Sequence, residues 1–446
     1  MFEEACDSEK KMSSDSGKIS GEEEQLSEGG GKKSLGWLNQ NVFGFGLTSF
    51  LGDFSYEMAT AVLPQFMQAI GASVMSLGFI EGIADALSSF TKLWSGYHSD
   101  RIGHRKTWTA GGYAVTGVST GIFAFALGWP LILLGRVTGW LGRGIRGPLR
   151  DAMLADSVSA EDRGKAFGFH RAGDTAGAVA GPLAAFGLLS VAQSHPGVLK
   201  GIVGWLPMLP GANEWPYRAI FLLTVVPGVL AFLSVVLLIR EKRHQPNRSM
   251  RFLRTLRELP GGFRRFLAAA GLFGMADFAP TLMMLRATTV LEPTLGIFGA
   301  AKVTTLLFLF RNVVYAAASF PIGAMSVSFH RPRYLAVGYG IAVVTFLGFA
   351  FVVPSVWWFS VLFGLAGVFI AWEDTMEGVI VRDYVGREVA GTAYGVLGVV
   401  NGLGDFVSSS VVGLLWTLLG PGAGFIYAGA VGLAGTIMMA LVKRPP

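Results

Sequence analysis

Residues 96–106 read GYHSDRIGHRK, with an acid first and bases following. The run lies between two long apolar segments, near 75–97 and 107–127. Gly96 and Gly103 allow a tight turn or the close approach of another helix. Asp100 can cap a neighbouring helix N-terminus or pair with an arginine. Arg101, Arg105 and Lys106, with His104, suit a loop facing anionic lipid headgroups. Read alone, the stretch is a basic loop at a membrane face.

The composition supports a membrane setting. Of 446 residues, 52% are hydrophobic and only 15% charged, with 61 glycines and 11 tryptophans. The mean hydropathy is +0.50. Soluble domains carry about 25% charged residues, so the composition describes a polytopic helical membrane protein. Cys6 is the single cysteine. That excludes an internal disulfide framework and a cysteine-based metal cluster, and its context FEEAC lacks the apolar stretch expected ahead of a lipidated cysteine. The net charge of +6 does not indicate nucleic acid, because the bases cluster in short loops between apolar segments and read as topology signals.

Residues 1–36 are polar and acid-rich and are expected to be a disordered cytoplasmic tail, with neither a signal nor a transit peptide. About twelve segments then follow, each long enough to cross a hydrocarbon core of about 30 Å. They lie near 42–68, 75–97, 107–127, 131–154, 164–191 and 217–239, and again near 264–291, 297–320, 334–353, 355–381, 390–418 and 422–442. They lack the alternation of a barrel, so helices are expected. The expected domains are a first six-helix bundle over 37–240, a basic linker over 241–263 and a second bundle over 264–446. Within the linker, 249–259 (SMRFLRTLREL) reads as an amphipathic helix lying on the membrane or as a solvated connector. Lysine and arginine fall on alternate loops, which predicts cytoplasmic termini in a plasma or bacterial inner membrane. The exception among the quiet loops is 193–216, long and carrying Trp205 and Trp215, which suits an external half-helix.

The halves are related. An offset of 227 lays GTAYG (391–395) over GKAFG (164–168), and an offset of 224 lays Asp277 over Asp53. At 227, Gly96 meets Gly323, but Asp100 meets Val327 and Arg101 meets Ser328, so the second copy keeps the loop and loses its acid. Two six-helix halves joined by a basic linker describe a repeat-built secondary transporter.

These motifs resemble the major facilitator superfamily over residues 40–442. GYHSDRIGHRK matches that superfamily's loop between helices two and three, with His104 where arginine is commoner. EDRGKAFG (161–168) resembles its four–five loop. GAVAGP (177–182), with Gly177, Gly181 and Pro182, resembles the Gly-x-x-x-Gly-Pro element of antiporter members; small residues at this spacing also serve ordinary packing. Arg136 stands where the family's helix-four arginine stands. The resemblance implies an all-α membrane protein of twelve helices in two pseudo-symmetric six-helix bundles, working as a monomer without cofactor or metal. It also implies a latch in which Gly96, Asp100, Arg101, Gly103 and Arg105 tie helix two to the start of helix eleven.

Charges inside the apolar segments are the remaining signal. At the bilayer centre each costs about 3 kcal/mol when exposed to lipid, so they must be paired, lie near the interface or face a wet cavity. Asp53 and Glu57 share a face of helix one, four residues apart. With Asp85, Asp174 and Asp277 they are candidates to exchange protons as their access to water changes, or else are permanently paired. Arg136, Arg143, Arg286, Arg311 and Asp405 are candidates for the substrate cavity. Arg146 and Arg150 on helix four, and Glu373 and Glu377 on helix ten, are candidates for a gate of ion pairs between the halves, or else pair within their own halves.

The function expected from these residues is secondary transport of a small molecule by alternating access, as proton-coupled antiport and efflux. Proton-coupled uptake of an anionic metabolite or siderophore is the alternative, and a membrane receptor or scaffold a remoter one. An enzyme is not expected, since the sequence has neither HExxH nor GxSxG, and no phosphate-binding loop points to ATP.

Overall fold

A computed structural model of the protein describes residues 37–99, 104–159, 162–205, 213–241, 260–325, 330–385 and 390–443. Over these the chain is helical. The helices are α1 (Gln40–Thr60), α2 (Leu63–Ala69), α3 (Val74–Ser99), α4 (Arg105–Ser119), α5 (Trp129–Asp156), α6 (Arg163–Ser194), α7 (Pro196–Val203) and α8 (Trp215–Leu238). After the linker come α9 (Gly261–Gly274), α10 (Pro280–Met325), α11 (Arg331–Ala350), α12 (Val356–Tyr384), α13 (Ala390–Leu419) and α14 (Pro421–Ala440).

Twelve spans result because three of them are broken. The first is α1 plus α2, and the third is α4 completed by a 3-10 turn over Thr120–Phe125. The seventh is α9 plus the beginning of α10, while the rest of α10 is the eighth. The turn between them is Gly296, whose φ of 70° suits a residue without Cβ. The chain is a multi-pass membrane protein of twelve helices in two bundles, as expected. Among the described residues, seven helices are long and apolar enough to cross a membrane by composition alone. The rest include α1, α2, α4 and α9 of the broken spans and the charge-bearing α3 and α5. Within the long loop 193–216 the chain forms α7, which packs on α8. The tail 1–36, Asp100, Arg101, Gly103 and the helix expected over 249–259 lie outside the described residues.

The repeat is visible in packing. Gly177 of α6 sits against Phe50 of α1, and Gly404 of α13 sits against Gly274 of α9, offsets of 227 and 224. Gly112 meets Arg146, and 226 residues further on Gly338 meets Trp372. By that correspondence the counterpart of Arg146 is Trp372, and Glu373 stands one residue beyond it. The offset of 227 therefore does not hold in these helices, and Arg146 and Glu373 are not at matched positions.

Along α3 and α13 the two halves meet almost backbone to backbone. A Cβ on Gly78 would collide with the carbonyl of Ser409, one on Gly82 would stand 2.8 Å from Phe406 Cα, and one on Gly413 would stand 2.9 Å from the Val74 carbonyl. The second seam, α6 with α10, is joined by longer side chains. Asn312 Nδ2 donates to the Ala178 carbonyl at 3.2 Å and Lys302 Nζ to Gln193 Oε1 at 3.2 Å. On the face away from the α1 start, Gln68 Nε2 donates to Glu292 Oε2 at 2.9 Å and Met75 N to Thr417 Oγ1 at 3.1 Å, which closes the halves together at that end.

The face where α1 begins is tied within the first half. Asn41 exchanges two 2.8 Å hydrogen bonds with the backbone of Arg240. The Glu241 carboxylate accepts from the backbone N–H groups of Arg105 and Lys106, capping the open donors of α4.

Candidate functional site

A cavity of about 650 Å³ lies between the halves, large enough for a drug-sized ligand. Its walls come from α1, α3, α5, α6, α10 and α12, and its lining extends to Arg150 and Arg171, towards the face where α1 begins. A side pocket of about 90 Å³ adjoins it, sharing Asp85, Ala279, Pro280, Arg311 and Ile370.

The helical period brings the charges together. Arg136, Arg143, Arg146 and Arg150 recur on one side of α5, at intervals of seven, three and four, and all four line the cavity. Arg143 Nη2 meets Asp53 Oδ1 at 2.7 Å, and its guanidinium lies 3.9 Å from the centre of the Tyr56 ring and 5.2 Å from that of Trp140. Arg136 grips Glu81 with two bonds of 3.0 and 2.9 Å and reaches Thr60 Oγ1 at 3.2 Å. Arg146 stacks 4.0 Å over Tyr113 and stands 4.0 Å from Asp53. Arg150 pairs with its neighbour Asp151 at 3.0 Å.

Two glycines set the depth of this wall. The Cβ positions of Gly177 and Gly181 are filled by α1 backbone, and would stand 3.1 Å from Asp53 Cβ and 3.0 Å from Glu57 Cβ. Pro182 is buried beside them. Small residues thus seat α6 directly behind the two carboxylates. Glu57 lines the cavity, and its Oε2 has no hydrogen-bond partner among the described residues.

Asp174 accepts from Ser49, which also contacts His170 Nε2 at 3.0 Å, and His170 Nδ1 lies 3.5 Å from Asp174. Arg171, 3.9 Å from Asp174, donates to Tyr315 Oη at 3.2 Å, and Tyr315 donates to Asp374 at 2.8 Å. One tyrosine hydroxyl thereby joins α6 of the first half to α12 of the second.

Asp85, Asp277 and Asp405 meet in the side pocket with Arg311, which hydrogen-bonds Asn312 Oδ1 at 3.1 Å. Glu373 and Glu377 are buried inside the second half rather than paired with Arg146 or Arg150. Glu377 accepts from Tyr339 and Asn401, each at 2.6 Å, and Glu373 Oε2 has no hydrogen-bond partner among the described residues. Arg286 lines neither cavity. Of the latch residues described, Gly96 lies within α3, and Arg105 is buried and pairs with Asp156 at 3.0 Å.

Tyr56, Trp140, His170, Tyr315 and Glu241 were not singled out by the sequence. His170 could have been, since it stands four residues before Asp174 on one helix. Tyr56, Trp140 and Tyr315 give no signal beyond the aromatic character common in such segments.

The sequence profile described as Major Facilitator Superfamily matches residues 45–308 and 266–446. An uncharacterized MFS-type transporter of Methanocaldococcus jannaschii is 26% identical over 408 residues, covering 91% of this chain and 95% of that protein. An uncharacterized protein of Mycobacterium tuberculosis is 30% identical over 171 residues, 37% of this chain and 40% of that one. Among solved structures, a mutant of the nucleoside transporter NupG superposes with a TM-score of 0.71 at 13% identity, covering 91% of this chain and all of that one. A bacterial homologue of the human lysosomal transporter Spinster, inward-facing and unoccupied, superposes with a TM-score of 0.69 at 18% identity, covering 92% and 95%. At these identities the structures speak for the fold.

Proposed function

The chain belongs to the Major Facilitator Superfamily and is a membrane transporter of that type, and from that premise we propose that its central cavity is the substrate site of a proton-coupled exporter. The observation that carries the reading is the set of carboxylates facing cations in the cavity between the halves. Asp53 lies against Arg143, Asp174 against His170 and Arg171, and Asp277 shares the side pocket with Arg311. Such groups exchange protons as their access to water and to a counter-charge changes, which is the property coupling requires.

The bonds between the halves at the far face, with the cavity lining reaching the near one, support a state open towards the face where α1 begins. With the basic loops in the cytoplasm that state is inward-facing, and both termini are cytoplasmic. Arg146 and Arg150 with Glu373 and Glu377 are the groups proposed to meet when this face closes. The basic loop carrying Asp100 is the proposed latch for that closure. The same geometry serves uptake by symport, and the seven cationic side chains lining the cavity favour an acidic group on the cargo in either direction.

Reconstitution into liposomes with a trapped pH dye tests the coupling. With a panel of organic acids and amines as probes, the parent is expected to move a probe and protons together, and Asp53→Asn and Asp277→Asn to uncouple them. Probe flux in the parent without proton flux overturns the coupling. The sign of the lumenal pH change separates export by exchange from symport.

A further inference from the structure

The two walls of the cavity differ in charge. Among the described residues, the first half lines the main cavity and side pocket with six cations and five carboxylates. The second half supplies Asp277, Asp374 and Asp405 against one cation, Arg311. On the first wall some carboxylates are committed, Glu81 to Arg136 and Asp53 to Arg143. Glu57 and Asp85 have no ion pair there among the described residues, and two of the cations are not fully engaged either. Lys92 is exposed in the cavity and has no ion pair among the described residues. Arg146 is 3% exposed and lines the cavity, yet its Nε and Nη1 have no hydrogen-bond partner there. On the second wall the excess is acidic and concentrated in the side pocket, where Asp277, Asp405 and Asp85 share about 90 Å³ with Arg311, the one cation lining it among the described residues, while Lys92 of the main cavity lies within electrostatic reach of Asp85 and Asp405. That space takes an ammonium head with the carbon that carries it, and not a whole drug-sized ligand.

We propose that the cavity takes a dipolar organic molecule, its acidic group held by Lys92 and Arg146 and its amino group placed in the side pocket against Asp277 and Asp405. A purely anionic molecule would meet the carboxylates of the second wall, and a purely cationic one the arginines of the first. Juxtaposition of like charges excludes wrong ligands more strongly than matched charges add affinity. The inference rests on the cavity being the transport site, and it deepens that reading by naming the cargo's chemistry.

Three probes of one shape test it on the full chain in nanodiscs. These are para-aminomethylbenzoate with both charges, para-toluate with only the acid and para-methylbenzylamine with only the amine. Binding is read by tryptophan fluorescence, to which Trp140 in the cavity wall contributes. The dipolar probe is expected to bind at least about tenfold tighter than either other. Asp277→Asn with Asp405→Asn should remove its advantage over para-toluate, and Lys92→Gln should reduce its advantage over para-methylbenzylamine. Equal or tighter binding of a singly charged probe, or no saturable binding of the dipolar one, overturns the inference. Flux assays keep the two readings apart. Dipolar-selective binding without flux would leave the inference standing and remove the transport role, whereas flux of para-toluate alone would do the reverse.

Discussion

Glu81 of α3 and Arg136 of α5 face each other through two hydrogen bonds, with both side chains 3% exposed. Burial on this scale makes the pair costly to break from one side, because the remaining charge is stranded. Glu81→Gln or Arg136→Met should destabilise the protein by about 3–5 kcal/mol, read as a fall in melting temperature in detergent. Glu81→Leu with Arg136→Met should recover most of that loss. If the double variant is stable but moves no protons, Arg136 belongs to coupling as well as to structure; if it transports normally, the pair is structural alone.

Gly177 leaves no room for a side chain against α1. Gly177→Val should cost about 1–3 kcal/mol through overpacking and should depress transport further by displacing Asp53 from Arg143. Gly187→Ala on the same helix, where nothing lies within 4 Å of the new methyl, is the control and should be close to neutral. Equal effects from the two would mean that the α1–α6 contact does not position the carboxylates.

The proposed closure of the near face predicts a charge-swap phenotype. Glu373→Arg should reduce cycling at least about tenfold, and adding Arg146→Glu should restore part of it. The helices must move for these groups to meet, since each is held in its own half in this structure. Absence of any rescue in a double variant that still folds would assign both rows to structure within their halves.

Tyr315 offers a milder test. Tyr315→Phe removes the hydroxyl shared by Arg171 and Asp374, worth about 1 kcal/mol per hydrogen bond. In a Cys6→Ser background, a cysteine introduced at the cavity-lining Thr175 should be labelled several-fold faster by a membrane-impermeant thiol reagent when Tyr315 is also replaced by Phe. An unchanged rate would mean that the hydroxyl does not restrain that seam.

The fold was legible because its determinants are one-dimensional. Apolar length, the sign of the loops and the spacing of GKAFG from GTAYG place twelve helices in two related bundles. The side chains facing the cavity were partly legible, since Asp53 and Glu57 on one helix face obey a fixed period. Which carboxylate meets which arginine was not, because Glu81 and Arg136 are 55 residues apart and their approach depends on how α3 and α5 pack. The repeat was legible only in part for a related reason. Its offset varies between 224 and 227 from segment to segment, so the sequence does not fix which residues correspond, and packing matches Arg146 to Trp372 rather than to the neighbouring Glu373.

The contrast between the two seams bears on how such a molecule moves. Interlocked side chains resist rolling, since each must be lifted from its socket in turn, whereas bare backbone surfaces offer no sockets. In the proposed transport cycle the α3–α13 edge, with Gly78, Gly82 and Gly413 against opposing main chain, is the spine that stays in contact while the halves swing about it. The α6–α10 edge, held by a few polar side chains, is the fore-edge that parts. Cargo then has a sided approach, and bulky residues introduced along the spine would act as detents that slow turnover before they affect binding.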